Sequence, residues 1–282
     1  MKRIKVNLIS LGCSKNLVDS EKLLAQLPRE HFDILHDSNQ ASEVVIINTC
    51  GFIQDAKQES IDTILSCIQA RKNGKIRQLI VMGCLSQRYR DELQSEIPEV
   101  DAWFGVSDHA ALLSYLKQKP LNDQTKRYLT TPGHYAYLKI AEGCNRTCSF
   151  CAIPMIRGSF KSVEPDLLLK EAGLLAAQGV RELLLIAQDL SYYGYDLSGK
   201  TMLPGLLDSL SDISGIEWIR LHYAYPSKFP LEILSQMQEN PKICRYLDMP
   251  LQHISDSLLK RMRRGHSEKQ LRNLISTIRS KV

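Results

Sequence analysis

Three cysteines stand close together in EGCNRTCSFC: Cys144, Cys148 and Cys151, in a C-x3-C-x2-C arrangement. The loop follows directly on YLKIA, a strand-like run. Three thiolates on one short loop can grip three irons of a [4Fe–4S] cube. Such a cube usually takes four cysteines, so a missing fourth leaves one iron open to an external molecule. Structural zinc is the alternative. It wants four closed ligands, commonly as two separated pairs. No second pair lies near this loop, and His134 is ten residues upstream.

Cys13, Cys50 and Cys84 look unrelated in sequence, yet each lies one or two residues beyond a strand-like run: LISLGC, VVIINTC and LIVMGC. In a parallel sheet the strand C-termini share one edge, and ligands collect in the crevice outside it. Three cysteines on such loops can converge on one site with an open position. Gly12, Gly51 and Gly83 beside them would let the backbones approach closely. The other reading is three ordinary buried cysteines, as Cys67 and Cys244 are read here.

The three-cysteine loop resembles that of the radical S-adenosylmethionine superfamily. SLGCSKNLVDSE, INTCGFIQDAKQESID and GCLSQRY resemble the N-terminal domain of its methylthiotransferases, and the resemblance runs over essentially the whole chain. It implies two [4Fe–4S] clusters, one on Cys144, Cys148 and Cys151 and an auxiliary one on Cys13, Cys50 and Cys84. It also implies S-adenosylmethionine on the open iron of the first. EGCNRTCSFCAIPMIRG, IAQDLSYYG, LHYAYPSKFP and DMPLQHISDSLLKRMRR are similar to the branch that places a methylthio group on the β-carbon of an aspartate in small-subunit ribosomal protein S-twelve. The alternatives are the branch that modifies adenosine in transfer RNA, and an inactive cluster-binding fragment. The partners implied are that ribosomal protein, alone or in the ribosome, a reducing electron donor and a sulfur donor.

The resemblance also places cofactor contacts on loops after later barrel strands: Gln188 and Asp189 after the second, His222 after the third and Gln252 after the fourth. Ordinary loop polarity is the alternative for each. No catalytic side chain beyond the clusters is assigned. Phe150 is read as a shield or a packing residue, Tyr192, Tyr193 and Tyr195 as packing residues with substrate contact the alternative, Arg157 as solvent-exposed unless it meets a carboxylate, and Arg261–Arg264 as a solvated helix face with substrate contact the alternative.

The elements must bring these residues together. In the first half, strand-like runs at 4–11, 44–48 and 79–82 alternate with helical patterns at 17–27, 54–72, 88–97 and 110–117, with Asp19 and Glu21 near the start of the first helix. Strands are expected near 135–141, 182–187, 217–222 and 246–249 of the second half, and helices near 165–178, 203–210, 231–239 and 256–262. Ser267 and Gln270 suggest a capping box for a last helix. The fold class is α/β: a doubly wound parallel sheet domain over 1–118, a linker over 119–134 and a partial radical SAM (β/α) barrel over 135–282. The remainder of the barrel and a small C-terminal β-domain, usual in the family, are expected to be missing from this chain.

The chain has 282 residues, 44% of them apolar and 24% charged, as in a globular protein with room for two cores. No apolar run reaches the roughly 18 residues of a membrane span. Lys5 and Asn7 interrupt the apolar stretch of the N-terminus, which is read as a strand rather than a secretory signal. A cytoplasmic protein with no membrane partner is expected. The net charge of +5 is compatible with a ribosomal partner without establishing one.

Overall fold

Val44, Val45, Ile46 and Ile47 are all buried, which requires a strand covered on both faces. In the computed structural model, which describes residues 3–121, 123 and 125–282, they lie in the central strand of a five-stranded parallel sheet. The chain divides into two units: Met1–Thr130 with Met155–Arg157, and Thr131–Pro154 with Gly158–Val282.

The first unit runs β1 (Ile4–Ser10), α1 (Ser14–Leu24), β2 (Phe32–His36), β3 (Ser42–Thr49), α2 (Gln54–Lys72), β4 (Ile76–Gly83), α3 (Cys84–Glu96), β5 (Ala102–Trp103) and α4 (His109–Tyr115). The strand order is β2-β1-β3-β4-β5. This is a doubly wound order whose direction switches between β1 and β3. Val6, Leu8, Val44, Ile46, Ile80 and Met82 face Leu23 and Leu24 of α1 and Leu112 and Leu113 of α4. The alternate residues Val45, Ile47, Leu79 and Val81 face Ile64 and Ile68 of α2 and Leu93 of α3.

Sequence periodicity misses β2 and β5. Both are short edge strands, and the FDILH run of β2 mixes polar with apolar residues. α1 starts three residues earlier than its apolar spacing suggests, because Cys13 is already its extended N-cap. α3 likewise starts at Cys84, and its helical pattern becomes regular only beyond a kink at Tyr89. Within the stretch read as a linker, Thr125 and Arg127 are buried and belong to the first unit. Residues 122 and 124 of that stretch lie outside the described residues.

The second unit contains β6 (Tyr135–Lys139), β7 (Ala141–Glu142), β8 (Lys161–Ser162), α6 (Pro165–Ala177), β9 (Glu182–Ile186), α7 (Tyr195–Ser198), α8 (Leu203–Ser211), β10 (Trp218–Leu221), α9 (Glu232–Glu239), β11 (Ile243–Leu247), α10 (Asp256–Arg261) and α11 (Glu268–Lys281). Between β7 and β8 comes α5 (Ile153–Arg157), whose last three residues belong to the first unit. Its parallel strands follow in sequence order, β6-β9-β10-β11, and α6, α8, α9 and α11 pack side by side. Successive strands with helices along one side make the wall of a (β/α) barrel. β11 begins three residues before its apolar pattern suggests. The Ser267–Gln270 capping box of α11 is present as read from the sequence.

Candidate metal centres

In the first unit, each scattered cysteine sits at a strand-to-helix turn. Cys13 is the N-cap of α1, Cys50 follows β3, and Cys84 opens α3 directly after β4. The turns touch. A Cβ added to Gly12, where φ is +90°, would stand 2.7 Å from the Cβ and 3.0 Å from the Sγ of Cys50. One added to Gly51 would stand 2.7 Å from Leu85 Cα and 2.8 Å from the Cys84 carbonyl oxygen. The glycines are therefore what allow three cysteine turns to lie in van der Waals contact along one sheet edge, two of them flanking the switch point.

A buried polar network ties these turns together. Asn16 donates from Nδ2 to the carbonyls of Leu11 (2.9 Å) and Thr49 (3.0 Å). Asn48 donates to the Asn16 carbonyl (2.8 Å) and Ser20 Oγ (3.0 Å). Ser60 Oγ accepts from Cys50 N–H at 3.0 Å. The Cys84 thiol donates to Asn16 Oδ1 at 3.5 Å.

Arg157 completes the network. It is 7% exposed. Both terminal nitrogens donate to Asp19 Oδ2 at 3.1 Å, and Nη2 also reaches Asn16 Oδ1 and, at 3.6 Å, Cys84 Sγ. The carboxylate contact prevails over the expected solvent exposure, because burying a guanidinium requires an anion beside it. Burial pushes the Cys84 thiol up to about 11 and the Cys50 thiol up as well, with Arg157 pulling both down. Asp19 and Glu21 are buried partners of Arg157 and Arg127 rather than free charges at a helix start.

In the second unit, Gly143 allows the clustered loop to begin. With φ at +71°, a Cβ there would run into the carbonyl oxygens of Gly158 and Ser159. Cys144 N–H donates to the Gly158 carbonyl (3.1 Å), Cys151 N–H to that of Cys148 (3.1 Å) and Ser149 N–H to that of Met262 (3.2 Å). Arg146 N–H donates to Cys144 Sγ at 3.4 Å. Arg264 donates from Nη1 to Cys148 Sγ at 3.3 Å, and the Tyr225 hydroxyl lies 3.8 Å from the same sulfur. Two guanidinia lie over the Tyr225 ring, Arg146 at 4.1 Å and Arg264 at 4.3 Å from its centre.

The expected cofactor contacts divide. Asp189 is 1% exposed and accepts from Arg146 Nε at 3.0 Å. Burial raises its carboxyl above the usual range, and Arg146 opposes this. Its Oδ1 and the Oε1 of Gln188 are buried with no hydrogen-bond partner. Gln188 donates to Glu142, two residues before Cys144. His222 lies 3.9 Å from Asp248 Oδ2 and packs on Tyr246. Gln252 sits in an exposed turn with φ at +69°, and no recorded contact joins it to the cysteine loop among the described residues. Phe150 is exposed rather than packed. Tyr193 is fully buried, its hydroxyl bonded to the Val163 carbonyl (2.9 Å), and Tyr192 stacks on Tyr195.

Among the described residues, no three His, Cys, Asp or Glu side chains stand close enough to hold a single metal ion. The thiolates of a cube bind different irons, so they stand further apart than the ligands of one ion. The donor set fits such a cube in each unit: three cysteines on one edge or loop, with an arginine donating to one of the sulfurs. The two orphaned acceptors, on Gln188 and Asp189, suit a ligand carrying ammonium or hydroxyl donors. A cavity of about 880 Å³ lies between the first sheet and α2 beside Asn7 and Cys67, and none of the six cysteines lines it.

Residues 138–281, half of the chain, match the family described as the Radical SAM superfamily, and residues 5–105 match "Uncharacterized protein family UPF0004". The chain belongs to the radical SAM superfamily. It is 55% identical to the ribosomal protein uS12 methylthiotransferase RimO of Cytophaga hutchinsonii, over 99% of this chain and 64% of that protein. It is 52% identical to the protein of the same name from Porphyromonas gingivalis, over 100% of this chain and 65% of that one. The chain thus spans about two-thirds or slightly less of the length of these relatives: 64% and 65%. Among solved structures, the radical S-adenosylmethionine methyltransferase TsrM from Kitasatospora setae matches with a TM-score of 0.67 at 13% identity, over 99% of this chain and 68% of that one. The cobalamin-dependent S-adenosylmethionine radical enzyme OxsB matches with a TM-score of 0.64 at 12% identity, over 98% of this chain and 48% of that one. At these identities the likeness concerns the fold.

Proposed function

We propose that the chain belongs to a methylthiotransferase acting on the β-carbon of an aspartate in small-subunit ribosomal protein S12 in the cytoplasm, and that it holds two [4Fe–4S] clusters. The observation that carries this is the second set of cysteines: three turns of the first sheet brought into contact by glycines, in a chain that already has the superfamily's clustered loop. The identity to proteins named RimO supports the ribosomal substrate over transfer RNA.

In this reading Cys144, Cys148 and Cys151 hold one cluster, and Cys13, Cys50 and Cys84 hold the other. When bound, the first supplies the electron that cleaves S-adenosylmethionine to a 5′-deoxyadenosyl radical, and the second supplies the site from which sulfur is delivered. A radical is required because the aspartate β-carbon is too weakly acidic for a side-chain base to deprotonate. Asp189, held by Arg146, and Gln188 offer their orphaned oxygens to S-adenosylmethionine. Burial of that site excludes water, which would otherwise compete for these acceptors. A reductant and a sulfur donor act with the chain.

Anaerobic reconstitution tests this. About eight irons per chain are expected, four in each cluster. Reduction should then give 5′-deoxyadenosine, and Cys148→Ala should abolish it. Incubation with S12 should replace one hydrogen of the aspartate by a methylthio group, read by mass spectrometry. Zinc in place of iron, or modification of transfer RNA instead of S12, would overturn the reading.

A further inference from the structure

Arg264 ends the run RMRR, which as a sequence reads as a solvated helix face. The structure turns it inward. Arg263 N–H donates to the Lys260 carbonyl and Arg264 N–H to the Leu259 carbonyl, both at 3.0 Å, the paired bonds of a Schellman ending to α10. Arg263 takes the left-handed position, with φ at +55°. The turn leaves Arg264 4% exposed. The same end of α10 accepts the Ser149 N–H through Met262, so the cysteine loop and Arg264 are fixed by one element.

Arg264 has an unusual set of partners. The equally buried Arg157 and Arg127 have carboxylates, Asp19 and Glu21. No carboxylate is recorded in ion-pair reach of Arg264 among the described residues. Its guanidinium donates to Cys148 Sγ and the Pro250 carbonyl, lies over Tyr225, and keeps a buried Nε without a partner. A buried cation without an anion is costly. The nearby groups able to become anionic are the Cys148 sulfur, which it touches, and the Cys151 sulfur beyond it. An oxidised cube held by three thiolates carries one net negative charge, which a single guanidinium balances.

Resting on the cluster assignment above, we propose that Arg264 is the charge partner of the cluster on Cys144, Cys148 and Cys151, positioned by the α10 ending and by Tyr225 to hold the Cys148 thiolate and to raise the cluster's reduction potential. Reduction adds a further negative charge, and a fixed cation beside the sulfur favours the reduced form. Arg146, also over the Tyr225 ring, is already paired with Asp189 and supplies less of this charge.

The test is a dithionite titration monitored by electron paramagnetic resonance on the reconstituted chain, comparing wild type, Arg264→Gln and Arg264→Lys. It is run with all six cysteines, and again with Cys13, Cys50 and Cys84 replaced by alanine so that one cluster reports. Arg264→Gln should load iron but show a more negative midpoint, and Arg264→Lys should stay nearer wild type. An unchanged midpoint in Arg264→Gln overturns the proposal. If Arg264→Gln takes up no iron, recovery of loading in Arg264→Lys supports the charge role, and failure of both variants overturns it in favour of a purely structural one. A wild-type chain that loads no cluster overturns the proposed function together with this inference, whereas a loaded wild type with an insensitive midpoint overturns the inference alone.

Discussion

Glu21 carries one of the heaviest polar loads in the first unit. Its carboxylate pairs with Arg127, with both side chains 1% exposed, and accepts from the backbone N–H and hydroxyl of Thr130 at 2.7 and 2.8 Å. Removing one partner of such a pair leaves the other charge buried, which typically costs about 3–5 kcal/mol. Arg127→Met should therefore destabilise the chain by that order in urea unfolding. Arg127→Met combined with Glu21→Gln should cost less than the sum of the two single changes, because the second change removes the stranded charge. Little of this was legible in the sequence. SLGCSKNLVDSE shows polar residues at 16, 19, 20 and 21, and a helix inside a two-sided sheet domain should present apolar ones there. That conflict was the available signal for a buried network, but spacing alone could not name Arg127 or Arg157 as the partners.

At the scale of elements, the strand-to-helix turns decide the auxiliary site. Gly12 and Gly74 both have positive φ, +90° and +74°, but Gly12 abuts Cys50 while nothing lies within 4 Å of a Cβ at Gly74. An alanine at either should pay about 1–2 kcal/mol for the left-handed backbone. Only Gly12→Ala should also push apart the turns that carry Cys13 and Cys50. The expected outcome is similar thermal destabilisation from the backbone term, a further loss in Gly12→Ala, and a fall in iron per chain confined to that variant. Equal iron in both would mean that turn contact does not govern loading. The central strands were readable from their continuous apolar runs, and α2 from its boundaries. The edge strands β2 and β5 were not, since an edge strand needs few apolar residues.

On the scale of the molecule, Met155–Arg157 belong with the first unit although they follow the rest of it, which ends at Thr130, by more than twenty residues of sequence. A fragment ending at Thr130 would keep Asp19 and lose the guanidinium that donates to it. Asp19→Asn should therefore cost such a fragment less stability than it costs the whole chain, where Arg157 is present. An equal cost in both would argue against the Asp19–Arg157 pair as a determinant of this unit.

The sequence by itself determined the alternation of strands and helices, the capping box of α11, the clustered cysteine loop and the common strand-end position of Cys13, Cys50 and Cys84. These are local properties, written in periodicity, turn residues and short spacings. Tertiary structure alone decided which charges are buried and against what. Arg157 meets Asp19 across 138 residues, and Arg264 meets Cys148 across 116. The cost of burying an arginine depends on the anion that the fold brings to it, and no local pattern specifies that anion.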